Sequence, residues 1–147
     1  MGLMLLMCEP IYGTWKAVVL DSGFCVAKGI VALASRRVYA GALIKKRRYW
    51  PKGVLGEAID EHFRDKEVGD VDMLEAKTED NKPFRIFCFK EPDYVMKIMA
   101  SWMTLDDTEG ATNTRREYKG ADGQSVVKLF KYKQPFGLHF RYRHQVD

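Results

Sequence analysis

The residues with chemistry in them stand at the ends of apolar runs. Asp21 closes the run Ala17-Val18-Val19-Leu20 and is followed by the turn pair Ser22-Gly23. Lys45-Lys46-Arg47-Arg48 closes a second apolar run, residues 38–44, and leads into Tyr49-Trp50-Pro51. Open α/β sheets place their ligands beyond the carboxyl ends of the strands, where Asp21 stands. The competing reading is that Asp21 only caps the next helix together with Ser22. Four consecutive cations are not buried. With aromatic neighbours they can grip phosphates and stack on sugar or base, or else form a solvated charged turn.

Other candidate clusters fail on their own chemistry. Gly69-Asp70-Val71-Asp72 contains Asp-x-Asp but lacks the glycine and glutamate of a calcium loop. His139 and His144 have no neighbouring Cys or His to complete the four groups zinc needs. They read as polar or phosphate-facing histidines. Cys8, Cys25 and Cys88 are odd in number, far apart and without a CxxC. Free, mostly buried thiols suit a reducing compartment, nuclear or cytoplasmic.

The elements that position these residues follow from periodicity. Residues 18–20 form a short apolar strand. Phe24, Ala27, Ile30, Val31 and Ala34 recur at helical spacing over residues 24–36, and residues 38–44 make a second strand. Strand, helix and strand over about thirty residues form a βαβ unit with a right-handed crossover. Parallel strands share a carboxyl end, so Asp21 and the four cations belong to one sheet edge.

The rest is read in order. Residues 3–8 are expected as a strand and 53–65 as a short helix. The acidic residues 60–80 are expected as a solvated surface and 81–83 as a turn. Residues 84–89 and 94–103 should pair as an antiparallel hairpin around Glu91-Pro92-Asp93. Residues 106–122 read as a loose connection and 124–132 as a strand. Gln134-Pro135-Phe136-Gly137 reads as a break. Leu138, Tyr142 and Val146 start a final helix, which ends abruptly at Asp147 as if cut.

The 147 residues suit one domain with a real core, being 46% hydrophobic and 30% charged. The apolar opening, residues 1–7, is too short for a membrane span and lacks the basic start of a signal peptide. No membrane partner is expected. The net charge of +4 is unevenly spread. Residues 1–54 carry nine Lys/Arg against two Asp/Glu, residues 55–122 ten against seventeen, and residues 123–147 five against one. Basic ends around an acidic middle suggest that the ends fold together around an insertion and offer a surface to a polyanion.

Val18-Val19-Leu20-Asp21-Ser22-Gly23-Phe24, the strand 38–44 with its basic tail, the strands around Phe87-Cys88-Phe89, and Tyr142-Arg143-His144-Gln145-Val146-Asp147 resemble the catalytic domain of piggyBac-type transposases. The resemblance covers almost the whole chain. It implies an α/β fold: a partial RNase H-like core, made of the βαβ unit and a closing helix, interrupted by a mostly β insertion. The core pieces would be residues 1–52 and 135–147, and the insertion residues 53–134.

In that family three aspartates hold two divalent ions, and Asp21 and Asp147 match the second and third. Two departures count against activity. Ser22-Gly23 stands where the family has Asn, and no residue of this chain matches the first aspartate, Glu9 included. The family's cysteine-rich DNA-binding tail has no match either. The implied cofactor is Mg²⁺ or Mn²⁺, its binding weakened by the missing third carboxylate. The implied partner is DNA, held by Lys45, Lys46, Arg47 and Arg48, and the resemblance allows a homodimer of the full-length protein. The expected function is that of a transposase fragment, ancestrally cleaving and joining DNA with two metal ions and inactive alone. The alternative is a non-enzymatic DNA- or protein-binding module derived from a transposable element.

Overall fold

A computed structural model describes residues 1–45, 50–107 and 113–142. Helix α1 (Gly2–Cys8) is followed by strand β1 (Ala17–Leu20), helix α2 (Ala27–Ser35) and strand β2 (Tyr39–Leu43). Helix α3 (Gly56–His62) then precedes β3 (Val71–Lys77), β4 (Pro83–Lys90) and β5 (Val95–Ala100). A hairpin of β6 (Thr114–Lys119) and β7 (Ser125–Phe130) leads into helix α4 (Gln134–Tyr142).

The βαβ unit forms as its pattern requires. β1 and β2 are parallel neighbours, with Val18 opposite Ala40 and Leu20 opposite Ala42. Their sheet has five strands in the order β1-β2-β5-β4-β3 and is mixed. Among the described residues only the β1–β2 pair is parallel; β5, β4 and β3 follow antiparallel. The expected hairpin is β4–β5, closed by the amide of Glu91 donating to the carbonyl of Tyr94. Residues 53–134 therefore supply three strands to the sheet that holds β1 and β2, and β6–β7 to a second, two-stranded sheet.

Helices and hairpin cover both faces of the large sheet. On one face Met4, Ile30, Leu33 and Ile59 from the first three helices, with Phe63 just after α3, pack on Ala40, Ala42, Ile86 and Met99. On the other, Phe130, Tyr132 and Phe136 pack on Phe87, Phe89, Met96 and Ile98. Residues of β4 alternate between the two cores: Phe84, Ile86 and Cys88 on one, Phe87 and Phe89 on the other. Two-sided burial is why this strand is apolar almost throughout, as strands covered on both faces are.

Four expectations from the sequence need correction. Residues 3–8 are helical, not extended: α1 presents Met4 and Cys8 to the core and leaves Leu3, Leu6 and Met7 largely in solvent. Their spacing of four is that of one helical face, which an unbroken apolar stretch hides. The close approach of α1 to α2 is made at Gly29, where an added Cβ would lie 2.4 Å from the methyl of Met4. The acidic stretch 60–80 contains strand β3, and the polar stretch 106–122 contains β6. Both strands alternate half-buried and exposed positions in part, and their partners β4 and β7 supply the apolar face. Finally, Gln134-Pro135-Phe136-Gly137 does not break the chain but opens α4. Proline is tolerated in a first helical turn, where its missing N–H has no intrahelical partner to lose.

Candidate functional site

Asp21 leaves the sheet at the carboxyl end of β1. Its side chain accepts a hydrogen bond from the backbone amide of Gly23 at 2.7 Å, and its own carbonyl accepts from Phe24 at 2.9 Å. These bonds close a single 3-10 turn, Ser22–Phe24, for which Asp21 is the cap. Ser22 is not the cap of α2, as the sequence suggested. That helix begins at Ala27 after Val26, which makes no side-chain capping bond.

The turn is anchored from below. Cys25 is fully buried, with its Sγ 3.5 Å from the carbonyl of Ala42 on β2. Burial pushes its thiol up to about 12, so it is a neutral packing group and not a nucleophile. The carboxylate of Asp21 itself is exposed, with one oxygen turned to Gly23. A side chain at position 23 would start 3.0 Å from that oxygen, so glycine keeps the approach to the carboxylate open.

The parallel pairing of β1 and β2 brings the chain out at the same edge after Leu43, and Lys45 is exposed there. Lys46, Arg47 and Arg48 lie outside the described residues, as do Asp147 and His144. The helix that precedes Asp147 in sequence, α4, lies against β1 and β2. The same two strands thus carry Asp21, lead into the basic stretch and touch the closing helix.

The chemistry of the donor set is limited. A carboxylate oxygen suits a hard divalent ion, but among the described residues no group of three His, Cys, Asp or Glu could hold a metal. Asp21 alone is not a metal site.

A second concavity lies between α3 and the outer strand β3, with a volume near 570 Å³. His62 Nε2 stands 2.8 Å from Asp72 Oδ2 on its wall. That bond, with the amide of Met73, holds the Asp72 carboxyl below its usual range. Cys88 lines the same groove, so the residue types of a thiol-based site are present. Burial, the dominant influence, pushes the Cys88 thiol up to about 12, so the groove holds no activated nucleophile. The sequence did not point to this groove, because its walls come from separate segments, around α3, along β3 and at Cys88 on β4.

Among the described residues no helix is long and apolar enough to cross a membrane. No curated protein and no solved structure matches the chain. A family model described as Transposase IS4 matches residues 1–147. With that match running the full length of the sequence, and an aspartate displayed at the carboxyl end of a sheet strand, the chain belongs to the IS4-type family of DDE transposases.

Proposed function

We propose that the chain derives from the catalytic domain of a piggyBac-type transposase with an RNase H-like core, and that its function is to hold DNA at the β1–β2 edge. The observation that carries this reading is the parallel register of β1 and β2, which brings Asp21 and the start of the basic stretch to one edge. Asp21 and Asp147 serve as two of the three catalytic carboxylates, and residues 53–134 are the insertion between them. Lys45, Lys46, Arg47 and Arg48 contact phosphates, which position a duplex without reading its sequence.

When bound, Mg²⁺ or Mn²⁺ ions supply activation of the attacking oxygen and stabilisation of the leaving one in phosphodiester chemistry. Asp21 contributes an exposed hard oxygen to that site, and Gly23 orients the carboxylate through its amide. The first aspartate of the triad has no match among these residues, so metal binding is weak and strand transfer by this chain alone is undetectable. A reducing compartment, nuclear or cytoplasmic, suits this reading, and a homodimer of the full-length protein would bring two such edges together.

The test follows Mg²⁺ and Mn²⁺ binding by calorimetry and duplex binding across a salt series. The expected results are weak metal binding that Asp21→Asn abolishes, and a salt slope that flattens when Lys45 to Arg48 are all changed to Ala. Metal binding untouched by Asp21→Asn would overturn the catalytic assignment. An unchanged salt slope would move the DNA surface elsewhere. A second reading, a non-enzymatic DNA- or protein-binding module, is favoured by one feature: Asp21 already has a structural task as the acceptor for Gly23. Duplex binding that is indifferent both to metal and to Asp21→Asn would select it.

A further inference from the structure

Three aromatic rings far apart in sequence stand in a row at the other end of β1. Trp15 precedes β1, Tyr39 opens β2 and Trp102 follows β5. The Trp15 and Tyr39 ring centroids are 5.4 Å apart, and those of Tyr39 and Trp102 are 5.6 Å apart and nearly parallel, at 24°. The row runs outward from the second core: Trp102 packs against that core, Tyr39 is half-buried, and Trp15 is 54% exposed. Gly41 on the same face makes room for Met103, whose methyl would lie 2.8 Å from an added Cβ, while Trp102 would be in ordinary contact at 3.5 Å.

The outer ring is held out by a costly backbone. Trp15 has φ +57° and Arg37 has φ +58°. Positive φ is a real outlier for a bulky residue. The Trp15 amide donates to the Arg37 carbonyl at 2.7 Å. The positive φ of Arg37 is the left-handed stop of α2, where the Val38 amide donates to Leu33 and the Arg37 amide to Ala34, so the strain to explain is that of Trp15. Such strain persists where the surroundings over-determine it, and it clusters at ligand clamps. A tryptophan needed only for packing would gain by turning inward, because burial of its large apolar surface is what stabilises it.

The surroundings are cationic. Lys16 and Arg37 are exposed beside the row, and the Arg36 guanidinium lies 5.6 Å from the centre of the Tyr12 ring. Of the cations in residues 10–45, Lys16, Arg36 and Arg37 flank β1 and β2 at this end, whereas Lys45 lies with Asp21 at the opposite end and Lys28 pairs with Glu79.

We infer that Trp15, the exposed end of a row backed by Tyr39 and Trp102, is a stacking surface for an unpaired base of a nucleic-acid strand, with Lys16 and Arg37 exposed nearby for the phosphates. Aromatic rings interleaved with cations are how proteins bind single strands without sequence preference. A cationic ligand would be repelled here, and a duplex hides the base faces that the ring would stack on. The inference rests on the DNA-binding part of the proposed function, but it uses the opposite end of β1 and neither Asp21 nor a metal.

The experiment uses the whole chain with labelled oligo-dT and a blunt duplex of equal length, both in EDTA. Trp15→Ala is expected to weaken oligo-dT binding by about fivefold or more, the loss of one stacked base, and to leave duplex binding unchanged. Trp15→Phe should keep most of the affinity but lose the quenching of tryptophan emission by oligo-dT. Equal weakening on both probes would mean that Trp15 contributes without stacking on unpaired bases and would overturn the inference. Unchanged oligo-dT binding by a folded Trp15→Ala chain would do the same, as would equally tight capture of an uncharged proline-rich peptide. If Trp15→Ala does not fold, the emission readout decides: oligo-dT that leaves native tryptophan emission unquenched overturns the inference. Because EDTA removes the metal, loss of the catalytic assignment to Asp21 leaves these outcomes readable.

Discussion

Asp21 spends one carboxylate oxygen on the amide of Gly23, 2.7 Å away. The capping reading and the ligand reading of this residue are therefore both geometrically satisfied by one side chain. Asparagine keeps an oxygen in the same place and removes the charge. Asp21→Asn is expected to change stability by less than about 0.5 kcal/mol, whereas Asp21→Ala should cost about 1 kcal/mol through loss of the cap. Urea unfolding of the two variants checks this. A large loss in Asp21→Asn would mean that the charge itself supports the turn, and would disqualify that variant as a probe of metal binding.

Glu91 and Arg116 join the β4–β5 turn to the β6–β7 hairpin. Two parallel bonds of 2.7 and 3.0 Å link guanidinium and carboxylate, and the Tyr132 hydroxyl accepts a third at 3.2 Å. The Glu91 side chain is only 4% exposed and Arg116 28%. The bonds to Glu91 push the Arg116 guanidinium further into its charged form. Arg116→Ala leaves a buried carboxylate without its partner and is expected to cost about 2–4 kcal/mol. Replacing both residues by apolar ones of similar size should recover most of that. A cost below about 1 kcal/mol for Arg116→Ala, measured by urea unfolding, would mean that water replaces the guanidinium.

Gly69 lies where β7 crosses the start of β3. Its φ is +100°, and an added Cβ would fall 2.2 Å from an edge carbon of the Phe130 ring. Gly69→Ala therefore combines backbone strain with overpacking and should destabilise the chain by about 2 kcal/mol or more. Near-ultraviolet circular dichroism should also lose aromatic signal, because Phe130 stacks on Tyr132. Gly123→Ala has a positive φ but open space around it, and is expected to cost less.

The thiols of Cys25 and Cys88 are expected to resist Ellman's reagent at pH 8 in the native state and to react once urea unfolds the chain. Burial raises both from 9.0 to about 12. The native state holds these protons more tightly than the unfolded chain, so the contribution is complete below pH 9 and is lost as pH rises towards 12. Cys25→Ala with Cys88→Ala should flatten the alkaline fall of the urea midpoint. An equal fall in the double variant would assign it to other groups.

Local pattern in the sequence determined the βαβ unit, the β4–β5 hairpin, a helix near residue 56 and the standing of Asp21 at a strand's carboxyl end. Each depends on neighbours in the chain: a helical period, a continuous apolar run, a turn tripeptide. Local pattern misjudged α1, β3, β6 and the first turn of α4. In β3 and β6 the sequence is polar enough to look solvated, and only pairing with β4 and β7 makes these segments strands. Tertiary structure alone brought β3, β4 and β5 into the sheet of β1 and β2, through β2–β5 pairing. It also aligned Trp15, Tyr39 and Trp102, and closed Glu91 onto Arg116. Those relationships depend on register between strands distant in sequence. A slip of one residue would turn every side chain to the opposite face, so the choice is made by the packing of both cores together and not by any single segment.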